Sequence, residues 1–303
     1  MTKSYTFASC TIPIEHHVEL PSTNDRAREL LRDHPDAVPF VISARRQTAG
    51  RGRGENVWWS DEGSAMFTVG LAPSDIGLTE RHLPCVALVA AVAVIDLLER
   101  EMKIAPGRLG IRWPNDIAAD GLKLGGILPE RIDQDGHDRL IVGVGINVTT
   151  RLEDAPPTIQ AMATSIERLL QKEGAEGDSA VGETAVAGCH GFRFGNPCSE
   201  SVGTGSQSGT RGTQRISPTL DLATLPGAIT AELIPLLEKL AHGDPALPAR
   251  WAMLDVLRDW AVRIDLGNQI VSGVARGIDA SGGLIVDSSE GRRTLHGGRV
   301  LRK

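Results

Sequence analysis

Residues Arg46 to Ser60 read R-Q-T-A-G-R-G-R-G-E-N-V-W-W-S, and the rest of the chain is best understood outward from them. Gly50, Gly52 and Gly54 alternate with Arg51 and Arg53. Glycine lets backbone N–H groups approach a ligand closely and reach positive φ. Arginine brings planar, permanently charged donors that suit phosphate and carboxylate. Trp58 and Trp59 follow directly, and an indole face stacks on a flat heterocycle. Anion donors beside an aromatic platform suit a nucleotide or another anionic small molecule; the alternative is a solvated basic loop. The stretch is not a P-loop, because no Gly-Lys-Ser/Thr follows.

On either side the pattern is regular. Pro39 to Ser43 reads as a short apolar strand that feeds this loop, and Ser64 to Leu71 as the strand that leaves it. Upstream, Ser22-Thr23-Asn24 precedes apolar residues at Ala27, Leu30 and Leu31 and a stop near Pro35, which predicts an N-capped helix. Downstream, Leu83 to Leu98 has the length and composition of a buried helix. Leu109 to Trp113 is a strand stopped by Pro114, with Asn115-Asp116 as turn residues. Leu122 to Ile132 and Arg139 to Val148 form a hairpin around Asp135-Gly136. Strands outnumber helices, so the expected class is α+β, a mixed sheet with helices packed on one face.

From Gln171 to Ser217 periodicity vanishes and Gly, Ser and Thr recur, which predicts a flexible insertion. Cys189, His190 and Cys198 lie in it, without the spacing or the fourth ligand of a zinc site. Helices are expected again at Leu220 to Leu240 and at Pro248 to Trp260. Beyond Ala261, short alternating runs separated by Gly267-Asn268, Ser281-Gly282-Gly283 and Glu290-Gly291 predict a small β-barrel. The division is therefore residues 1–260, carrying the insertion at about 171–217, and a second domain at 261–303.

The bulk figures agree. A length of 303 residues suggests about two domains. Hydrophobic content of 41% and charged content of 23% are ordinary for a soluble globular chain. A net charge of −6 argues against a general nucleic-acid binder. The N-terminus shows no signal-peptide pattern, and the apolar run Val86 to Leu98 is too short to cross a bilayer. Cys10, Cys85, Cys189 and Cys198 make no disulfide framework, so a reducing cytoplasm is the expected setting.

Three further segments carry chemistry. Asp116, after Arg112-Trp113-Pro114-Asn115, can hold a hydrated Mg²⁺, which takes few protein carboxylates; an Asx-type turn is the alternative. Lys123, in Lys-Leu-Gly-Gly-Ile-Leu, can place a point charge on a phosphate, or can be a solvated edge lysine. Gly143-Val144-Gly145-Ile146-Asn147 puts paired glycines in a strand, a sign of close approach.

Taken in order, S-T-N, Q-T-A-G-R-G-R, W-P-N-D, K-L-G-G-I-L and G-V-G-I-N resemble the biotin protein ligase family, also called biotin–[acetyl-CoA-carboxylase] ligase. The likeness covers Pro21 to about Thr150, and G-V-A-R-G-I-D-A-S-G-G-L at 273–284 resembles the family's C-terminal domain. The resemblance implies a class II synthetase-like catalytic domain, the biotin–lipoate ligase fold, and an SH3-like C-terminal barrel. It implies that biotin and Mg-ATP give biotinyl-5′-AMP and pyrophosphate, and that a lysine of a biotin carboxyl carrier domain then takes the biotin and releases AMP. By the same resemblance Ser22, Thr23, Asn24, Gln47, Gly50, Arg51, Arg53, Lys123 and Gly126 hold biotin. Arg53, Trp58, Asn115, Lys123 and Asn147 hold ATP, Asp116 takes Mg²⁺, and Lys123, Arg51 and Arg53 are catalytic. The partners implied are biotin, ATP and the carrier domain of acetyl-CoA carboxylase or a related carboxylase. Neither DNA nor a membrane is expected, and a homodimer is left open. Few residues precede Pro21, so a short form without an N-terminal DNA-binding domain is expected.

Glu55 and Asn56 depart from the family's G-R-G-R-x-G-R-x-W, which bears on how the far half of the loop orders. Two other readings stay open. One is a lipoate or octanoate ligase or transferase on the same fold, and the other a non-catalytic biotin- or adenylate-binding module.

Overall fold

The computed structural model describes residues 2–7, 10–134, 136–179 and 221–301. Eight strands form the larger sheet: β1 (Thr2–Phe7), β2 (Cys10–Leu20), β3 (Phe40–Gln47), β4 (Ser64–Leu71), β5 (Leu109–Arg112), β6 (Asp116–Ala119), β7 (Leu122–Gln134) and β8 (His137–Asn147). Their order is β1-β2-β3-β4-β8-β7-β6-β5. The β2–β3 pair is parallel and the others are antiparallel, so the sheet is mixed.

Strand alternation divides this sheet into a structural face and a site face. On β4, Phe67, Val69 and Leu71 join the main core; on β8, Val142, Val144 and Ile146 do the same. That core is closed by α2 (Leu83–Met102) and α5 (Leu225–Ala241), with α6 (Ala246–Leu254) beside them. From Cys85 to Ile95 helix α2 is apolar all round, as a helical segment covered on every side must be. By length and composition the segment Glu80–Met102 could cross a membrane, but here it is the core helix between the sheet and α5. The opposite face carries α1 (Thr23–Asp33), whose Ala27 and Leu31 pack on Phe40, Ile42 and Ile141. Ser22 caps this helix, its hydroxyl accepting from the Asp25 N–H, a contact worth about 1 kcal/mol.

Two short helices follow β8: α3 (Pro157–Gln160) and α4 (Ile166–Ser179). Gln171 to Ser179, the first residues of the expected insertion, continue α4. The remainder of that insertion, with Cys189, His190 and Cys198, lies outside the described residues.

The last expected helix, Pro248 to Trp260, stops at Leu254 instead. There the chain turns extended and lies along the sheet edge. Asp255 bridges Ile111 in parallel, and the Val256 N–H donates to the Ile111 carbonyl at 3.1 Å. The chain then enters a second, antiparallel sheet: β9 (Ala261–Asp265), β10 (Ile270–Ile278), β11 (Leu284–Ser288), β12 (Gly291–Leu295) and β13 (Arg299–Leu301). The order is β12-β11-β10-β9-β13, with a bulge between Ala275 and Gly277. This is the small C-terminal β unit of SH3-like type that the sequence predicts. Its apolar residues Ile264, Val271, Ala275 and Val286 are continuous with the main core.

Candidate active site

The site face of the large sheet opens into a cleft of about 1870 Å³ that reaches the C-terminal sheet. Its floor is polar and tightly bonded. At the start of α1 the Thr23 N–H donates to Gln47 Oε1 at 2.7 Å. The Thr68 hydroxyl lies 2.8 Å from Thr23 Oγ1 and 2.6 Å from Asn24 Oδ1. The Asn24 amide donates to Glu130 Oε2 at 2.8 Å. Ser22, Thr23, Asn24 and Thr68 are all buried. Buried polar groups must be paired, and this set is paired largely within itself, which fixes its geometry.

The arginine–glycine loop folds back on itself over that floor. Arg51 bridges Val57, the Gly52 N–H donates to the Asn56 carbonyl at 2.8 Å, and the Asn56 side chain donates to the Arg53 carbonyl at 2.7 Å. Asn56, one of the two departures from the family pattern, thus closes the turn. The Arg51 guanidinium pairs with Asp25 at 2.9 Å and approaches Glu130 at 3.7 Å; the Asp25 hydrogen bond raises its already high pKa. Arg53 points the other way. Its half-buried guanidinium donates to the carbonyl of Gly298, just before β13 of the C-terminal sheet. Burial lowers its affinity for a proton, and the field of Asp116 opposes that. At such a site arginine stays charged.

The third side of the cleft is the β5–β6 hairpin and the start of β7. Lys123 Nζ sits 2.7 Å from Asp116 Oδ1 and 5.7 Å from the centre of the Trp58 ring, within cation–π range. Trp58 lies flat against β8: a Cβ on Gly145 would fall 2.8 Å from its ring, so a side chain there would displace the indole. Gly126 pairs with Asp116 in register and lies beside Lys123. Asn115 is tied to β7 twice, its side chain donating to the Ile127 carbonyl at 2.7 Å and its carbonyl accepting from the Ile127 N–H at 2.8 Å.

Residues 18–147 match the model of the biotin/lipoate A/B protein ligase family, and residues 261–302 that of the biotin protein ligase C-terminal domain. These two matched segments are the ones that carry the motifs resembling the biotin protein ligases. One protein it is similar to is the bifunctional ligase/repressor BirA of Bacillus subtilis, 37% identical over 50% of this chain and 46% of that protein. Another is the biotin–[acetyl-CoA-carboxylase] ligase of Mycobacterium tuberculosis, 34% identical over 40% of this chain and 44% of that one. The chain spans about half the length of these curated relatives. In fold it resembles the Aquifex aeolicus biotin protein ligase solved with biotin and ATP. The TM-score is 0.68 at 22% identity, covering 96% of this chain and 99% of that one. A biotin protein ligase-like protein of unknown function shares the fold at a TM-score of 0.59 and 13% identity.

The cleft gathers Ser22, Thr23, Asn24, Gln47, Arg51, Arg53, Trp58, Asn115, Asp116, Lys123, Gly126 and Asn147. Gly50 is the exception. It is buried under the Trp58 backbone, its carbonyl accepting from the Trp58 N–H at 2.9 Å. Asn24 and Asn115 have framework partners as well, as above, and so does Asn147, whose amide donates to the Thr164 carbonyl at 3.0 Å. Sequence reasoning missed Thr68, Asp25 and Glu130. Only Glu130 left a signal, since Gly126, Leu128 and Glu130 alternate onto one strand face.

Among the described residues no three of His, Cys, Asp or Glu converge as a metal cage. The donor set at Asp116 fits a Mg²⁺ that arrives with its own water and phosphate oxygens, and does not fit a permanently held ion.

Proposed function

We propose that this chain is a biotin protein ligase, which joins biotin to a carrier-domain lysine by way of biotinyl-5′-AMP. One observation carries the reading: the Lys123 ammonium stands between the Asp116 carboxylate and the face of Trp58, in the same cleft as the bonded Thr23–Gln47 floor. The C-terminal match at 261–302 favours biotin over lipoate or octanoate.

The chemistry is a pair of displacements. A biotin carboxylate oxygen forms a bond to the α-phosphorus of ATP, and the bond to pyrophosphate breaks. The neutral amine of the acceptor lysine then attacks the acyl carbon, AMP leaves, and the amine's proton is lost. Neither step needs a protein nucleophile. What the first step needs is fixed positive charge where negative charge grows, in a site poor in water. Lys123 supplies it, with Arg53 and Arg51 on the loop above. Ser22, Thr23 and Gln47 offer the donors and acceptors that hold the biotin head group, with Asn24 and Gly126 shaping the pocket. Trp58 packs against adenine, and Asn115 and Asn147 bound the nucleotide. Asp116 would hold the Mg²⁺ that accompanies ATP, which would supply positive charge to the phosphates. The acceptor is the carrier domain of a biotin-dependent carboxylase, and the reaction is placed in the cytoplasm.

The test is direct. The purified chain is incubated with radiolabelled biotin, Mg-ATP and an apo carrier domain. Label is expected on the carrier lysine, with AMP and pyrophosphate formed in equal amounts and no label on a Lys→Arg carrier. A folded protein that makes no biotinyl-AMP, or that prefers lipoate or octanoate, would overturn the reading. The non-catalytic reading predicts biotin binding without pyrophosphate release.

A further inference from the structure

Three donors of the catalytic part converge on one turn of the C-terminal sheet. The turn is Asp279 to Gly283, between β10 and β11. Trp251 Nε1 donates to the Asp279 carbonyl at 3.1 Å, Cys85 Sγ to the Ala280 carbonyl at 3.8 Å, and Trp113 Nε1 to the Gly282 carbonyl at 3.0 Å. The turn is rigid in its own right. Asp279 Oδ1 accepts from the Ser281 N–H, the Ser281 hydroxyl and the Gly283 N–H at 2.9, 2.7 and 2.9 Å. Gly282 has φ +81°, and a Cβ there would lie 3.1 Å from both the Pro84 carbonyl and Cys85 Sγ. Glycine is therefore required by backbone conformation as well as by contact.

Trp113 is no ordinary interface residue. Arg112 pairs with Asp116, so Trp113-Pro114-Asn115 is the loop of the β5–β6 hairpin. One side of this loop is fixed to β7 by the two Asn115–Ile127 bonds. The other side is fixed by the Trp113 indole, which is buried and reaches out of the catalytic part to Gly282. Asp116, the partner of Lys123, is the next residue after the loop. A shift of the turn would be passed through a rigid indole to the backbone that presents Asn115 and Asp116.

We propose that Trp113 is a positioning residue. The Asp279–Gly283 turn, acting through its indole, sets the placement of Asn115 and Asp116, so that the C-terminal unit completes the nucleotide side of the site. This rests on the proposed function for the meaning of that side, but not for the coupling itself. The floor made by Thr23, Asn24, Gln47 and Thr68 is bonded across α1, β3 and β4 and, among the described residues, makes no hydrogen bond to this turn, so the two substrates should respond differently.

The test uses the full chain with Trp113→Phe, Asp279→Ala and the double variant. Trp113→Phe keeps the ring and removes the indole N–H; Asp279→Ala loosens the turn from a position remote from the cleft. The first readout is hydrogen exchange of residues 113–118 and of Ile127. Exchange should rise at least tenfold in each single variant, with no further rise in the double. The second is a substrate split: KM for ATP should rise about tenfold while the Kd for biotin stays within twofold. Unchanged exchange at 113–118 in a folded Asp279→Ala variant overturns the coupling, whatever the protein catalyses. So would equal losses for ATP and biotin that track the folded fraction, because that is what mere loosening of the interface gives. If the exchange result holds but the wild type makes no biotinyl-AMP, the proposed function fails and the coupling stands.

Discussion

Lys123 and Asp116 form an ion pair whose side chains are 35% and 25% exposed. A pair so placed contributes little to stability, about 0–1 kcal/mol, so its value lies in holding the ammonium in the cleft. Lys123→Ala should therefore leave the unfolding midpoint nearly unchanged while biotin-dependent pyrophosphate release falls at least about a hundredfold, roughly 2.7 kcal/mol of barrier. Near-wild-type release would remove Lys123 from the mechanism. Asp255 is the opposite case. It is buried where the chain leaves α6, with Oδ2 unpaired and Oδ1 accepting from the Leu257 N–H. Burial pushes its carboxyl up to about 6, against smaller opposing effects of the Leu257 N–H and Arg258. The folded state thus holds this proton more tightly than the unfolded chain does. The stabilising effect is complete below about pH 4 and is lost as pH rises through about 6, a swing of up to roughly 3 kcal/mol. Asp255→Asn, which keeps the acceptor for Leu257, should be more stable than wild type at pH 8 and indistinguishable from it near pH 4. Urea titrations at the two pH values check this, and an identical pH dependence in both proteins would refute it. Neither behaviour of Asp255 was legible in the sequence, where it is one aspartate in an expected helix. Lys123, Arg53 and Trp58 were legible because their spacing repeats a family pattern.

Elements were readable where a period was strong and opaque where tertiary pairing decided. The capped helix α1, the strands β3, β4, β7 and β8 and the apolar helix α2 all follow from periodicity. The strand β2 did not, because Pro13 interrupts its apolar alternation, and proline inside a run argues against a strand. Nor did β6, four residues long, which exists because β5 and β7 offer it partners on both sides. The loop between β3 and β4 has the clearest consequence of any connection. Arg53 reaches from this loop to the Gly298 carbonyl, which makes it a clasp between the loop and the C-terminal unit. Biotinyl-AMP is a reactive anhydride and has to be shielded from water and stray amines. Arg53→Gly should weaken the clasp more than the chemistry, since Lys123 and the Asn115–Asp116 segment remain. The variant is expected to form biotinyl-AMP, release it faster in stopped flow, and label lysines of a bystander such as serum albumin. Tight retention with no bystander label would reduce Arg53 to a surface charge.

At the scale of the molecule, one apolar core runs from the large sheet into the C-terminal one, and the cleft lies where the two meet. Sequence periodicity announces both sheets but is silent on how they join, because the hydrogen bonds at the junction run from Cys85, Trp113 and Trp251 to carbonyls of the Asp279–Gly283 turn. Backbone acceptors leave no trace in a sequence. The central claim is that this cleft activates a carboxylate by adenylation, and pyrophosphate exchange measures that step without any carrier domain. The wild-type chain is mixed with ATP, Mg²⁺ and radiolabelled pyrophosphate, with and without biotin. Label should enter ATP only when biotin is present, and neither lipoate nor octanoate should replace it. Exchange that is absent in the folded protein, or that proceeds equally without biotin, would contradict the account.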